Sequence, residues 1–260
     1  MKKTQVLASG VTIRQDFREA VRAVFFQTGV EYWQYATHGG TLYVVNHQGK
    51  VYGVTCGHVR KDFEWRQIVI TDKKIGTRAA GLKNVYYPST PRHAAVGTDI
   101  EDLAVIEFAD DVGPTFFADT AYIIDKRTVR TSSIGDALQV AGVLKAPTQI
   151  DQGLIAPQFC PLEFADQGAA SEDPTLRQAI GVYERPDFEE VVGISGSPVF
   201  NVTANALCGM VVRGGLHGNR CTIWYVDFFD ILKLIQAVHK GELETEYRKE
   251  VLRKVLTRDA

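Results

Sequence analysis

Three short motifs, met along the chain in the order histidine, aspartate, serine, constrain the fold more than any other feature of this sequence. Val54-Thr55-Cys56-Gly57-His58-Val59 places a histidine just past a β-like run. Asp99-Ile100-Glu101-Asp102-Leu103-Ala104-Val105-Ile106 places an aspartate at the mouth of an apolar strand. Val192-Gly193-Ile194-Ser195-Gly196-Ser197-Pro198-Val199-Phe200-Asn201 sets a serine between glycines. A serine hydroxyl is a poor nucleophile at neutral pH, so a site built on one needs a base for its proton and donors for the resulting oxyanion. His58 is the candidate base and Ser195 the candidate nucleophile. Asp102 is the candidate orienting group, with Asp99 as its competitor. Gly193, lacking a Cβ, can turn its N–H toward the same point as the N–H of Ser195, which makes those two backbone groups a candidate oxyanion hole. Glycine, serine and proline also build ordinary turns, so the last segment gains its meaning from the two upstream. The same three groups recur on unrelated folds in different chain orders, so the order itself selects among folds.

A chain of 260 residues is long enough to bury a sizeable core, as one large domain or two small halves. Its 23 glycines, 13 phenylalanines and 10 tyrosines, set among short apolar runs, favour an all-β protein. With 29 basic against 31 acidic residues there is no electrostatic footprint for nucleic acid or an anionic membrane, and neither is an expected partner. Thr4, Gln5, Ser9, Gly10 and Thr12 break the first apolar stretch and Arg14 and Asp16 close it, so the reading expects no export signal and a cytoplasmic protein. Cys56, Cys160, Cys208 and Cys221 are then free thiols without the paired spacing of a zinc or redox motif. No metal or cofactor is expected.

In chain order, Thr12-Ile13-Arg14-Gln15 reads as a capping box, and Phe17, Val21, Val24 and Phe25 recur at helical spacing. This predicts a helix within an N-terminal extension, residues 1–29. Strands follow over 30–35, 41–45, 50–55, 67–71 and 103–108, with His38-Gly39-Gly40 and Asn46-His47-Gln48-Gly49 as turns, giving a first β unit over 30–114. Residues 115–134 connect it to a second unit, 135–227, with strands over 137–143, 149–154, 178–183, 199–201, 206–212 and 222–226 and a surface loop over 166–175. Residues 228–260 are expected to be helical, first over 228–239 and then where Leu243, Tyr247, Val251 and Val255 repeat every four residues.

The three motifs together resemble the signatures of the trypsin-like, chymotrypsin-fold serine peptidases, which approximate T-A-A/G-H, D-L/I-A-L/V-I and G-D/N-S-G-G/S-P. The resemblance spans residues 30 to 240 and implies two six-stranded antiparallel β-barrels, to which this chain adds an N-terminal helix and C-terminal helices. It implies a serine endopeptidase that cleaves peptide bonds through a His58, Asp102, Ser195 triad and an acyl-enzyme, with protein or peptide as substrate. An α/β-hydrolase elbow fits less well, because Ser197 stands where its last glycine should be.

The resemblance also implies that Gly209-Met210-Val211-Val212-Arg213-Gly214 binds substrate as an added strand through Val212, Arg213 and Gly214. By family position Glu189 lies at the base of the pocket for the side chain preceding the scissile bond, which implies selection of lysine or arginine. Glu190 is the neighbouring alternative, and Arg213 on the substrate strand raises the opposite, acidic preference. Two departures stand out. Ile194 replaces the aspartate that pairs with a newly cleaved amino terminus, so no such maturation is expected. Val212 replaces a serine that supports the catalytic aspartate, so Asp102 needs backbone donors or water. The competing readings are a protease-fold module that binds peptides or a partner without cutting them, and an esterase. An intracellular peptidase with no propeptide needs restraint, through strict specificity or a regulatory protein partner.

Overall fold

The structure is a computed structural model. It describes residues 5–6, 12–13, 16–30, 33–60, 63–71, 79–88, 102–109, 116–117, 119–143, 150–151, 154–155, 159–182, 191, 193–243 and 247–252. A small antiparallel pair, β1 (Gln5–Val6) and β2 (Thr12–Ile13), precedes the main body. The first sheet contains β3 (Val21–Val30), β4 (Trp33–His47), β5 (Lys50–Cys56), β6 (Ile68–Thr71), β7 (Ala79–Ala80), β8 (Leu82–Pro88) and β9 (Leu103–Phe108). β10 (Tyr122–Ile123) runs parallel beside β4.

The hydrogen-bonded order of this sheet is β19-β8-β9-β5-β4-β3-β6-β7, where β19 (Tyr247–Val251) is an edge strand from the end of the chain. Gly81 alone separates β7, at one end of that order, from β8, near the other. Adjacent Cα atoms sit about 3.8 Å apart, so the sheet has to curl until its far ends meet. The result is a curled half-barrel.

The second unit closes fully. β11 (Ala137–Val143), β14 (Phe159–Ala169), β15 (Leu176–Val182), β18 (Arg220–Asp227), β17 (Ala206–His217) and β16 (Pro198–Asn201) form a closed barrel in that order. β12 (Ile150–Asp151) and β13 (Leu154–Ile155) pair outside it. Leu138, Val140, Val199, Val211, Ile223 and Tyr225 fill the closed barrel, while a larger cluster runs from the first sheet to Phe200, Met210, Val212 and Val226. Helix α1 (Phe228–Lys240) starts where the Asp227 side chain accepts from the Phe229 N–H at 2.8 Å and ends at Gly241 in the left-handed conformation. It buries Phe228, Ile231, Leu234, Ile235 and Val238 in the larger cluster. None of the described helices is long and apolar enough to cross a membrane.

Four expectations are corrected. The N-terminal segment is not an α-helix: Asp16 caps a 3-10 turn, Phe17–Ala20, and β3 begins at Val21. Residues 20–26 are all buried, so this β-branched and aromatic strand is covered on both faces and helical spacing is satisfied by default. Arg22 lies inside because its guanidinium donates to the carbonyls of Glu19 and Val21 and to Thr120 Oγ1, at 2.7, 2.8 and 2.6 Å. At the other end, no helix follows α1 among the described residues. A four-residue spacing suits a strand face as well as a helix turn, and Tyr247–Val251 pairs with β8; Val255 lies outside the described residues. His38-Gly39-Gly40 is not a turn but part of the continuous strand β4. Asp166 belongs to β14 and is fully buried, not in a surface loop.

Candidate active site

Strand pairing brings the histidine and the aspartate together. β5 and β9 are antiparallel with Cys56 opposite Leu103, so the residues just after β5 and just before β9 emerge at the same end of the sheet. The chain leaves β5 through a 3-10 turn, Gly57–Arg60, that carries His58, and Asp102 immediately precedes β9. His58 Nδ1 is joined directly to Asp102 Oδ2. Asp102 Oδ1 accepts from the His58 backbone N–H at 2.7 Å, which supplies the backbone donor that the missing serine at Val212 calls for. With Nδ1–H donating to a carboxylate, the other ring nitrogen, Nε2, is the one left to accept a proton. The His58 side chain is half exposed. Asp99 lies outside the described residues.

Ser195 sits in a tight turn docked on β17. Ser197 N donates to the Ile194 carbonyl at 3.0 Å, Gly196 N to the Val211 carbonyl at 2.8 Å, and Val211 N to the Ser197 carbonyl at 2.9 Å. Gly196 has φ +84°, and a Cβ there would fall 1.9 Å from the Thr41 carbonyl oxygen, so only glycine fits. Among the described residues, the N–H groups of Gly193 and Ser195 have no acceptor, whereas those of Ile194, Gly196 and Ser197 do. These are the two backbone donors singled out in the sequence. Ser195 Oγ donates to the Val212 carbonyl at 3.1 Å and makes no hydrogen bond to His58.

The bulge in β17 accounts for that carbonyl. Pairing with β18 jumps from Val211–Tyr225 to Arg213–Trp224, so Val212 is the extra residue, its side chain packed in the larger apolar cluster. Beyond Met210 no described strand pairs with the other edge of β17, so among the described residues that edge is open along Val212, Arg213 and Gly214. The Arg213 guanidinium stacks 4.7 Å from the Trp224 ring centre and lies 3.4 Å from Glu172 Oε1. Glu189 and Glu190 lie outside the described residues.

Cys56 Sγ, His58 and Asp102 offer ligand atoms within 4.8 Å of one another, close enough for a metal to bridge. Each already has a partner in the chain: the aspartate and histidine hold one another, and Cys56 Sγ donates to the Val211 carbonyl at 3.2 Å. Cys56, Cys208 and Cys221 are buried free thiols; the Cys160 side chain is outside the described residues.

Two further charged clusters lie in the two halves. Burial pushes the Glu107 carboxyl up, but Lys50 Nζ, Asn84 Nδ2 and Tyr86 OH donate to it at 2.6, 2.5 and 2.8 Å and hold it at about 2. Burial likewise opposes ionisation of Asp166. Arg177, Ser132, Tyr225 and the Gly168 N–H overcome it and hold the carboxyl below its ordinary range.

No family model and no curated protein matches the chain. Solved structures do. The chain is similar to the scabies mite inactivated protease paralogue S-D1, with a TM-score of 0.58 at 11% identity over 87% of this chain and 94% of that one. It is similar to the thermostable serine protease AL20 from an extremophilic microorganism, with a TM-score of 0.54 at 14% identity over 86% and 98%. A third is the protease Anisep from Arthrobacter nicotinovorans, with a TM-score of 0.53 at 14% identity over 83% and 93%. The fold is the chymotrypsin-like double barrel. At these identities the likeness establishes the fold alone.

Within the double barrel, the Ser195 turn is tied to the first sheet by a residue that belongs to no sequence motif. Thr41, on β4, donates its N–H to the Ser195 carbonyl at 3.0 Å and its Oγ1–H to the Gly193 carbonyl at 2.8 Å. Its Oγ1 accepts from the Val143 N–H of the second barrel at 2.8 Å. Thr55 of the histidine motif donates to the Thr41 carbonyl at 2.6 Å. A threonine in a strand gives no signal of this role.

Proposed function

We propose that this chain is a serine endopeptidase in which His58 is the general base, Asp102 orients it, Ser195 attacks the scissile carbonyl, and the N–H groups of Gly193 and Ser195 receive the oxyanion. The observation that carries this reading is the doubly bonded Asp102–His58 pair at the sheet end braced, through Thr55 and Thr41, against the Ser195 turn. Substrate lies along the open edge of β17 at Val212, Arg213 and Gly214, hydrogen-bonded as an added strand. Its amide displaces Ser195 Oγ from the Val212 carbonyl, and the freed hydroxyl turns to His58. Attack forms the acyl-enzyme while His58 takes the serine proton and passes it to the leaving amine; water then releases the acyl group by the reverse proton path. The buried free thiols accord with a reducing, cytoplasmic setting.

A second reading, a peptide- or partner-binding module without catalysis, is favoured by one observation, the hydrogen bond of Ser195 Oγ to Val212 in place of His58. Digestion of an unfolded protein by wild type, Ser195→Ala and His58→Ala separates the two. The peptidase reading expects cleavage by wild type and a loss on the order of 10⁴-fold in each variant. Equal cleavage by all three, or none by wild type alongside peptide binding, overturns it.

A further inference from the structure

We propose, resting on the peptidase reading, that Ile194 and Val191 fill the recess for the side chain of the substrate residue that supplies the scissile carbonyl, restricting that residue to glycine or alanine. A peptide on the open edge of β17 with its carbonyl at Ser195 sends alternate side chains to opposite faces. The one beside Ser195 has to enter between the nucleophile turn and Gly214. Gly214 leaves space there by having no side chain, but the chain itself occupies it. The position of a Cβ on Gly214 lies 3.1 Å from Ile194 Cγ2, 3.2 Å from Val191 Cγ2 and 3.7 Å from Ile223 Cγ2.

Burial tells the same story. Side chains lining an open recess are wetted by solvent, whereas Ile194, Val191 and Ile223 are 1%, 6% and 0% exposed and belong to the interior of the closed barrel. A methyl group can rest over Gly214. A leucine, phenylalanine or lysine side chain has to displace packed core atoms, and shape mismatch of this kind costs about 10- to 100-fold in specificity. The basic preference implied by the position of Glu189 needs a long side chain to pass the same point, so the filled recess stands against it.

The test is a proteome-derived peptide library digested with wild type, Ile194→Ala, Val191→Ala and Ser195→Ala, with cleavage sites read by mass spectrometry. Wild type is expected to cut after glycine and alanine. Either widening variant is expected to raise cleavage after leucine and phenylalanine, relative to alanine, at least tenfold. Val191→Ala opens the recess from its other side should Ile194→Ala not fold. Wild type cutting freely after leucine, phenylalanine or lysine, or an unchanged ratio in both widened proteins, overturns the proposal.

Absence of any Ser195-dependent cut would count against the peptidase reading instead. The recess is then tested by calorimetric binding of extended peptides, differing only at that residue, to Ser195→Ala protein with and without Ile194→Ala. Tighter binding of the alanine than the leucine peptide, lost on widening, supports the filled recess; equal binding in both proteins contradicts it.

Discussion

Thr41 Oγ1 donates to the carbonyl of Gly193, 152 residues later, at 2.8 Å, a bond from the first sheet to the turn that carries Ser195. Together with the Thr41 N–H on the Ser195 carbonyl it holds the carbonyls of Gly193 and Ser195, so in the proposed peptidase strand β4 aims the two oxyanion donors. Thr41→Val keeps the shape, removes the hydroxyl and strands two buried groups, the Gly193 carbonyl and the Val143 N–H. Peptide hydrolysis should show kcat lowered roughly 10- to 100-fold with KM little changed, and Thr41→Ser should restore most of it. A parallel rise in KM with kcat intact would assign Thr41 to substrate binding instead.

The buried Asp166 and the partly exposed Arg177 are joined at 2.7 and 3.1 Å, with Ser132 and Tyr225 on the same carboxylate. Removing the carboxylate strips the buried Ser132 and Tyr225 hydroxyls and the partly exposed Arg177 of their shared acceptor, so Asp166→Ala should cost about 2–4 kcal/mol in urea unfolding. Asp166→Leu combined with Arg177→Met should cost less than Asp166→Ala alone. A loss below about 1 kcal/mol for Asp166→Ala would mean the pair is solvated in the native protein.

Glu107 makes stability depend on acid. Its carboxyl goes from an ordinary 4.5 unfolded to about 2 folded, so the folded state favours the ionised form. That contribution is fully present above the unfolded value and is lost as pH falls through the folded one. Wild type should therefore exceed Glu107→Gln by about 2–3 kcal/mol at pH 6, and the gap should close between about pH 4.5 and 2. Urea midpoints at pH 6, 4 and 2.5 measure it; a gap constant across that range would contradict the assignment.

The parts of the candidate site that are legible in sequence are those where residue type and local order make a motif. His58 at the end of a β run, Asp102 before Leu-Ala-Val-Ile and the Gly-rich Ser195 turn can be read without partners, because each motif is local. β3 and β19 are not local in this sense. Seven consecutive buried residues from Ala20 to Phe26, and a four-residue spacing near Tyr247, fit a helix or a strand equally, and the sheet partners decide. Asp166 looked like loop because its neighbours are polar, while the arginine that holds it lies across a strand pair. Thr41 reads in sequence only as part of a strand, since the carbonyls it holds, those of Gly193 and Ser195, lie far along the chain.

The most direct test of the central claim, that Ser195 is an activated nucleophile served by His58 and Asp102, is covalent labelling with an active-site-directed fluorophosphonate read by intact-protein and peptide mass spectrometry. One adduct per chain is expected, on Ser195, absent from Ser195→Ala and strongly slowed in His58→Ala. Wild-type protein that never labels, or labelling that persists undiminished in Ser195→Ala, would contradict it.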